Sequence, residues 1–423
     1  MQPIKASISF PTLEAEVLQF WKDNGIEAKA LAAHAEARAF VFYDGPPFAT
    51  GSPHYGNLLA GIIKDVIPRY FSMRGFAVER RWGWDCHGLP VEFEVEKQLG
   101  LSGRQDVEKF GIAAFNEACR SRVLEYAAEW EKIVRRTGRW VDFARAYRTM
   151  DVDYMDSVWW ALAELWKKGL LVEGYRVMPY SWRIGTPLSN FEASLNYQNV
   201  QDPSVAVLFR RLGTAEKNKE YFVAWTTTPW TLPVNLGLAI HPQLNYATVE
   251  NVLGDRFIVA ENLIESVFDL KRVEGGVKKT GTIKGTELVG ARYEPLFPFY
   301  ESKAQEGAFR IFASEHVSAE EGTGVVHLAP YGEDDFALFE KNGIAIVDPL
   351  NSEGVFQAPV TPYQGLLFRD ANRPILQDLK KEKKLLWSET REHSYPFCWR
   401  SDTPWIHRTG KGVRSAPPLT PSP

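Results

Sequence analysis

Two groups of polar side chains in this sequence are candidates for chemistry, and the first lies near the N-terminus. His54 and Asn57 follow a loop rich in Pro, Gly, Ser and Thr, residues 45–53, and open a segment whose apolar residues recur at helical spacing. Because a helix N-terminus carries free N–H groups and a partial positive charge, it suits an anion such as phosphate. The spacing therefore predicts a phosphate site on the first βα turn of a nucleotide-binding fold. An ordinary βα loop with a surface histidine is the alternative, since neither common glycine-rich phosphate motif occurs here.

The second group consists of two stretches in the middle of the chain. They are residues 225–235 (WTTTPWTLPVN) and residues 322–335 (GTGVVHLAPYGEDD). Taken singly, each has an ordinary structural explanation. Three consecutive threonines are compatible with an edge strand, a lone histidine beside a strand is usually a hydrogen-bonded core group, and acidic pairs are usually solvated.

The elements that would position the first group form a strand–helix–strand unit. Residues 39–43 are apolar, aromatic and β-branched, which predicts a buried strand, and residues 76–82 predict a second strand. A parallel pair joined by a crossover helix begins a doubly wound sheet, in which ligands bind beyond the carboxyl ends of the strands. Asp85 and His87 follow the second strand and are candidate ligands. For Asp85, a helix N-cap is the alternative.

The remaining segments predict an α/β fold with an inserted β-rich part. Residues 104–136 and 151–168 show helical periodicity, and we expect apolar residues of the second segment, such as Trp159 and Trp166, in the core. We expect four parts: residues 1–198 as an N-terminal segment and the first part of a nucleotide-binding domain, 199–384 as an inserted domain of short β runs, 385–404 as a strand returning to the first domain, and 405–423 as a Pro/Ser-rich disordered tail.

Composition places limits on partners and location. The chain has 423 residues and a formal net charge of −4, so it has no global basic field for nucleic acid, and an RNA partner would need a local basic patch. Its 3 cysteines lie far apart and form no disulfide pattern. No stretch approaches the roughly 18 apolar residues of a membrane span, and the N-terminus lacks the composition of a signal peptide. We therefore expect a cytoplasmic protein without membrane contact.

Three motifs resemble those of class I aminoacyl-tRNA synthetases. Residues 53–57 (PHYGN) resemble the HIGH signature, with Asn57 in place of its last histidine. Residues 44–47 (DGPP) and 83–92 (GWDCHGLPVE) are similar to the isoleucyl branch of the family in particular, and the similarity runs from about Phe10 to about Pro404. This resemblance implies the first half of a Rossmann-type class I catalytic domain with an inserted β-rich editing domain.

The resemblance assigns roles to residues of the nucleotide-binding part. His54 and Asn57 would be catalytic and, with Gly56, would bind ATP, which enters together with Mg²⁺. Pro46 would lie along the isoleucine side chain, and Asp85 would hold the isoleucine ammonium in a charge-assisted pair. The implied partners are the isoleucine tRNA, isoleucine and ATP, and we expect a monomer.

The two middle stretches together resemble the editing domain of the isoleucyl, valyl and leucyl enzymes, which hydrolyses tRNA carrying the wrong amino acid. Water must attack an ester, so such a pocket needs hydroxyls, a carboxylate for the ammonium and polar groups that place the water. The resemblance implies that Asp335 pairs with the ammonium. Because this chain is one residue shorter here than many relatives, Asp334 is the alternative. The other implied pocket residues are Thr227, Thr228, Trp230 and His327.

Two features depart from the family pattern. Bacterial relatives often carry two Cys-x-x-Cys pairs that bind zinc, and the corresponding positions here are Ser181, Ile184, Cys398 and Ser401. Structural zinc requires four nitrogen or sulfur ligands, so we predict no zinc and no other metal site. After Pro404 the similarity stops and no KMSKS-type loop follows, which favours a truncated or frame-shifted product.

The expected function is ATP-dependent activation of isoleucine and its transfer to tRNA, with hydrolytic editing of valyl-tRNA. We expect this chain alone to aminoacylate tRNA poorly or not at all. A free-standing editing deacylase is one alternative, and a non-catalytic module that binds tRNA or a partner protein is another. An unrelated nucleotidyltransferase is disfavoured because it would not explain the two editing stretches.

Overall fold

A computed structural model gives the fold and describes residues 8–48, 51–101, 103–214, 218–269, 273 and 275–415. The described residues divide into two compact units, one ending at Leu171 and the other spanning Val172–Ser415. Each unit has its own sheets and its own apolar core. In the described part of the chain, no helix is both long and apolar enough to cross a membrane.

The first unit is mainly helical. Its helices are α1 (Phe10–Asn24), α2 (Ile26–Ala32), α3 (Tyr55–Met73), α4 (Leu89–Leu99), α5 (Arg104–Phe110), α6 (Ile112–Arg122), α7 (Ala127–Arg136) and α8 (Val152–Lys167). Two strands, β1 (Arg81–Trp84) and β2 (Asp142–Arg148), pair in parallel, as their long helical crossover requires. Trp82 and Trp84 of β1 are buried with Val91 of α4 and Trp130 and Val134 of α7.

The prediction of a buried strand at residues 39–43 is wrong. Ala39 bridges Ala77 and Phe48 bridges Asp85, both in parallel, but no regular strand lies between these two bridges. Val41 is exposed. The apolar run predicts burial on both faces, whereas in the described structure its one β-bridge is at Ala39, next to which the N–H of Phe40 donates to the carbonyl of Ala77 at 2.8 Å.

The predicted helices form, but their lengths and burial differ from expectation. The segment 104–136 is divided into α5, α6 and α7, and Gly111, with a φ of +104°, separates the first two. The predicted core position of the α8 residues is wrong, because Trp159 and Trp166 are 70% and 58% exposed and no residue of α8 is buried. Periodicity predicts the helix, whereas burial depends on an element that covers its apolar face.

The second unit is β-rich, as the sequence predicts for residues 199–384. Its strands are β3 (Leu171–Ser181), β4 (Thr186–Pro187), β5 (Tyr197–Arg210), β6 (Glu220–Thr226), β7 (Gly237–Ile240), β8 (Asn245–Asn251), β9 (Arg256–Ala260), β10 (Val277–Lys284), β11 (Ile311–Ala313), β12 (Val325–Leu328), β13 (Leu385–Pro396) and β14 (Ile406–Ser415). Its helices are α9 (Asn190–Ala193), α10 (Ile264–Val267), α11 (Gly285–Leu288), α12 (Glu333–Lys341) and α13 (Asn372–Lys381), with 3₁₀ helices at Pro229–Val234, Glu261–Leu263, Pro298–Glu306 and Thr361–Tyr363.

The described residues of the second unit form three sheets. The main sheet has the order β10-β8-β9-β6-β5-β13, the second β11-β7-β12 and the third β14-β3-β4. Successive residues of β5 and β6 are buried, which is typical of strands covered on both faces. The predicted domain boundaries at 198/199 and 384/385 stay predictions, although β5 begins and β13 starts close to them.

Strand β14 corrects the prediction that residues 405–423 are a disordered tail. Residues 406–415 pair with β3, which satisfies backbone groups that a coil would leave to water. Side chains anchor the strand as well, since Arg408 Nε donates to Asp348 Oδ2 at 2.6 Å and Thr409 Oγ1 donates to the carbonyl of Pro330 at 2.5 Å. The Pro/Ser-rich residues 416–423 lie outside the described residues.

Candidate functional site

Reciprocal hydrogen bonds between His54 and Asn57 close the N-terminus of α3. The backbone N–H of Asn57 donates to His54 Nδ1 at 3.4 Å, and that of His54 donates to Asn57 Oδ1 at 3.0 Å. This capping box leaves His54 Nε2 and Asn57 Nδ2 available to a ligand at the helix N-terminus. A Cβ on Gly56 would stand 3.0 Å from the His54 ring, so the glycine gives that ring room.

Asp44 fixes the loop that precedes this helix. Its carboxylate forms ion pairs with Lys64 of α3 and with Arg139. Lys64 Nζ also donates to the carbonyl of residue 45 at 3.0 Å. The loop and the first turns of α3 line a cavity of about 230 Å³, to which Pro46 and Asn57 both contribute. Neither Lys64 nor Arg139 lies in a recognisable motif, so the sequence carried no signal for them.

Asp85 lies directly after β1, at the carboxyl end of the small sheet. Its backbone N–H donates to the carbonyl of Pro47 at 2.9 Å, and its carboxylate, which is partly exposed, accepts the backbone N–H of His87 at 3.5 Å. The alternative in which Asp85 caps α4 is wrong, because Gly88 occupies the N-cap and no side chain caps this helix. Asp85 therefore lies beside the Pro-rich loop, although it does not line the cavity of about 230 Å³.

The threonines of the second group meet His327 in the interior of the second unit. The hydroxyls of Thr226 and Thr228 lie 3.1 Å apart, and Thr228 Oγ1 lies 3.3 Å from Thr231 Oγ1. Thr231 Oγ1 is in turn 2.8 Å from Nε2 of His327 on β12. Burial lowers the pKa of the His327 imidazole to about 3, so the ring is neutral at physiological pH.

Asn235 and Tyr293 complete this network, and the sequence analysis singled out neither. Asn235 Nδ2 lies 2.9 Å from His327 Nδ1, and the Tyr293 hydroxyl donates to Asn235 Oδ1 at 2.6 Å. Both residues are buried, and burial raises the pKa of Tyr293 well above its ordinary value. Asn235 ends the motif 225–235 and could have been found there as a buried amide. Tyr293 lies outside every motif.

The two acidic candidates occupy different environments. Asp335, in the first turn of α12, is partly buried, and its Oδ2 accepts the backbone N–H of Ala329 at 2.9 Å. Burial raises the pKa of Asp335 to about 7, Ala329 opposes the shift, and the neighbouring Asp334 adds to it. Asp334 is exposed, and its Oδ1 lies 3.5 Å from His316 Nε2. The structure thus brings Asp335 next to the strand that carries His327 and leaves Asp334 on the surface.

Aromatic rings lie beside these polar groups. Trp230 is buried, with its ring centroid 4.8 Å from that of Tyr331 and 5.0 Å from that of Phe368. The backbone N–H of Trp230 donates to Asn372 Oδ1 at 2.9 Å, which ties the motif to α13. Thr227 is partly exposed between two threonines of the network. The sequence-predicted residues Thr227, Thr228, Trp230, His327 and Asp335 therefore lie in one region of the second unit.

The four positions that correspond to cysteine pairs lie on two turns of the second unit. Cys398 and Ser181 are buried, and Ile184 packs against the small cluster that contains Cys398. Burial raises the pKa of the Cys398 thiol, but Ser181 and Ser401 lower it, and the net shift is downward. Within the described ranges, no group of three or more His, Cys, Asp or Glu side chains is placed to hold a metal ion.

The chain is similar to curated proteins over part of their length. The isoleucine–tRNA ligase of Bdellovibrio bacteriovorus is 49% identical over 407 residues, which cover 96% of this chain and 38% of that protein. The ligase of Chlamydia trachomatis serovar L2 is 47% identical over 403 residues, covering 95% and 38%, and that of Treponema denticola is 45% identical over 435 residues, covering 96% and 40%. The chain thus spans about two fifths of the length of these curated relatives.

A solved structure and a family model were also matched. The editing domain of the cytosolic leucyl-tRNA synthetase of P. falciparum aligns with 44% of this chain and 99% of its own chain at 11% identity, with a TM-score of 0.35 that is too low to support an argument. The family model described as tRNA synthetases class I (I, L, M and V) matches residues 16–395. This match contains the motifs at residues 44–57 and 83–92 and both middle stretches, so the predicted resemblance is confirmed. The chain belongs to the class I tRNA synthetases of the I, L, M and V group.

Proposed function

We propose that this chain carries the isoleucine- and ATP-binding loop and the hydrolytic editing site of an isoleucine–tRNA ligase. The observation that carries the proposal is the network of the Thr228 and Thr231 hydroxyls with the His327 imidazole in the second unit, where Asp335 accepts the N–H of Ala329, two residues after His327. The names of the relatives, all isoleucine–tRNA ligases, support the choice of amino acid.

The first unit would bind the substrates of amino-acid activation. Asp85, at the end of β1, would pair with the isoleucine ammonium, and Pro46 would lie against its side chain. The phosphates of ATP, which enters as its Mg²⁺ complex, would contact His54 Nε2 and Asn57 Nδ2. Gly56 would leave room for them because it has no side chain. The capping box supports this assignment because it fixes both side chains at a helix N-terminus.

The second unit would hydrolyse valyl-tRNA. One methylene separates isoleucine from valine, so a binding pocket discriminates them weakly, and isoleucine enzymes are the standard illustration of that limit. Water adds to the ester carbonyl, the bond to the tRNA ribose oxygen breaks, and that oxygen leaves with a proton. Thr227 and Thr228 would place the water, Trp230 would bound the pocket, and Asp335 would hold the valine ammonium.

Asp335 is preferred to Asp334 for the ammonium because of its surroundings. A carboxylate that is partly removed from water attracts a cation more strongly than one at the surface. Asp334 is 63% exposed, whereas Asp335 is fixed by the Ala329 N–H. His327 is not a free base in this arrangement, since both of its ring nitrogens have partners. Its role would be to orient the threonine hydroxyls.

The other partners follow from the same proposal. The isoleucine tRNA, isoleucine and ATP are the proposed substrates, and a cytoplasmic monomer is the proposed state. We propose that this chain does not complete aminoacylation alone. It spans about two fifths of the length of its relatives. A free-standing deacylase is the second candidate, since the polar groups proposed for editing all lie within Val172–Ser415.

Two assays on the purified chain test the proposal. With the isoleucine tRNA as carrier, we expect release of valine from valyl-tRNA and little release of isoleucine from isoleucyl-tRNA. We expect isoleucine-dependent exchange between ATP and pyrophosphate to stay at background. Equal release of both amino acids would contradict an editing role. Absence of release from chain that circular dichroism shows to be folded would leave only the non-catalytic alternative, in which the chain binds tRNA without hydrolysing it.

A further inference from the structure

The buried hydrogen bonds around Asn235 determine how its amide is oriented. An amide offers one acceptor oxygen and a nitrogen with two donor hydrogens. Asn235 Nδ2 lies 2.8 Å from the carbonyl of Gly237, which can only accept. The nitrogen must therefore face Gly237, and the oxygen faces the hydroxyl of Tyr293 at 2.6 Å and accepts from it. Both side chains are nearly inaccessible to water, at 4% and 1% exposure, so water does not replace these partners.

The amide orientation in turn determines which nitrogen of His327 carries the proton. Asn235 Nδ2 also lies 2.9 Å from His327 Nδ1 and 3.4 Å from the carbonyl of Leu328. An amide nitrogen cannot accept a hydrogen bond, so at the shorter distance Nδ1 accepts and the ring proton resides on Nε2. His327 Nε2–H then donates to Thr231 Oγ1 at 2.8 Å. The Thr231 hydroxyl donates to the carbonyl of Thr228 at 2.8 Å, which orients the segment proposed to place the attacking water.

We propose that Tyr293 is a positioning residue of the editing site, which acts through the Asn235 amide to fix the Nε2–H tautomer of His327 and thereby the orientation of Thr231. This inference rests on the proposed editing function of the site. Among the described residues, the hydrogen bond that links the Tyr293 hydroxyl to this network goes to Asn235, so its effect on His327 passes through the amide. Burial keeps the imidazole neutral, so the choice between its two neutral tautomers decides whether Thr231 meets a donor or an acceptor.

The Tyr293→Phe variant tests the tautomer directly. Removing the hydroxyl leaves Asn235 Oδ1 buried without a donor and removes one of the contacts that oppose rotation of the amide, the others being those of Nδ2 with the carbonyls of Gly237 and Leu328. We expect nitrogen-15 NMR of histidine-labelled protein to show His327 as a single Nε2–H tautomer in the wild type and as a mixture in the variant. The His327 signals are assigned by their loss in His327→Gln, or by contacts of the ring with the Asn235 amide protons.

Tyr246→Phe is the matched control. Tyr246 is also fully buried, and its hydroxyl donates to the carbonyl of Gly324 at 2.8 Å and accepts the N–H of His241 at 3.0 Å, so the variant loses at least as much buried hydrogen bonding in the same unit. We expect both variants to lower thermal stability, but only Tyr293→Phe to change the His327 spectrum. A wild-type spectrum dominated by the Nδ1–H tautomer, or a Tyr293→Phe spectrum identical to it, would overturn the inference.

Hydrolysis of valyl-tRNA links the tautomer to the reaction. We expect Tyr293→Phe to lower kcat on the order of tenfold with little change in KM, because its hydroxyl contacts no substrate. Tyr246→Phe should keep the wild-type kcat. If the wild type hydrolyses nothing, the proposed function fails while the spectrum still decides the tautomer. If the wild type is active and Tyr293→Phe keeps its kcat despite a mixed spectrum, the positioning role itself is overturned.

Discussion

Asp335 and His327 are the titratable side chains of the proposed editing site, and burial moves their pKa values in opposite directions. The pKa of Asp335 is raised from 3.8 to about 7, so the folded state holds this proton more tightly and its contribution to stability declines as pH rises across that interval. The pKa of His327 is lowered from 6.5 to about 3, so its contribution declines as pH falls across that interval. Near neutral pH the imidazole is uncharged and the carboxyl group is close to its titration.

The pKa of Asp335 predicts the pH dependence of editing. Only the ionised carboxylate pairs with an ammonium, so kcat/KM for valyl-tRNA should rise with pH and level off above about 7. Asp335→Asn should flatten this rise and lower the plateau. Asp334→Asn is the matched control and should keep the rise and the plateau, with only a small shift of the rise to lower pH, because Asp334 lies on the surface and its charge adds to the raised pKa of Asp335. A flat wild-type profile, or a profile flattened only by Asp334→Asn, would contradict this assignment.

Strand β14 illustrates how an element outside the motifs supports the site. Arg408 on this strand donates to Asp348 and to the carbonyl of Asn351 at 2.9 Å, and Asp348 also accepts from the Tyr331 hydroxyl at 3.1 Å. Tyr331 packs against Trp230 of the proposed pocket. The strand that was expected to be disordered therefore holds one aromatic wall of the candidate site through two side chains.

Loss of Arg408 should destabilise the second unit. Arg408→Ala removes the guanidinium that donates to Asp348 and to the carbonyls of Leu350 and Asn351. Because these groups are partly buried, we expect the free energy of unfolding to fall by about 2–3 kcal/mol. Lys411→Ala, on the same strand, removes an exposed pair with Glu173 and should leave the unfolding midpoint unchanged. Urea unfolding followed by tryptophan fluorescence measures both. Equal effects of the two variants would show that the strand is not anchored through Arg408.

The two units differ in how completely their apolar residues are covered. The second unit has a large buried core drawn from most of its strands. The first unit has a small core around Trp82 and Trp84, whereas helix α8 exposes Trp159 and Trp160 by 70% and 68%. Apolar patches of this kind promote association, and an incompletely covered unit opens at lower free energy.

This difference in burial predicts two unfolding transitions, and it predicts that the exposed apolar surface of the first unit binds hydrophobic ligands. We expect limited proteolysis to cut the first unit before the second, and a hydrophobic dye to bind the native chain. Trp159→Gln together with Trp160→Gln should reduce dye binding without lowering stability, because neither ring is buried. Leu253→Gln, at an exposed leucine of the second unit, is the control and should change dye binding much less than the double tryptophan variant. A single cooperative transition would contradict the prediction.

The sequence predicts the elements of this chain better than their burial. Helical periodicity finds α8 but cannot show that its tryptophans face solvent, because burial depends on another element. The stretch at residues 39–43 has strand composition, but its one β-bridge in the described structure is at Ala39. Composition and loss of family similarity suggested disorder after Pro404, whereas β14 is stabilised by pairing with β3 and by contacts with residues distant in sequence.

In the candidate site, the residues within sequence motifs were predicted, whereas the residues that only the fold brings together were not. Thr228, Trp230 and His327 were predicted because they lie in stretches that resemble a known family. Tyr293 was not, because its contact with Asn235 joins residues 58 positions apart and involves no motif. The proposed preference for Asp335 over Asp334 depends on the structure. The sequence does not show which of two adjacent residues is buried, because burial depends on the segment that packs against α12.

The measurement that tests the central claim most directly is single-turnover hydrolysis of valyl-tRNA by the wild-type chain, Asp335→Ala and Asp334→Ala, with circular dichroism to establish that all three are folded. We expect release of valine by the wild type, a loss of roughly 10- to 100-fold in Asp335→Ala from the missing charge-assisted contact, and a rate close to wild type in Asp334→Ala. No release by the folded wild type, or a loss confined to Asp334→Ala, would contradict the central claim.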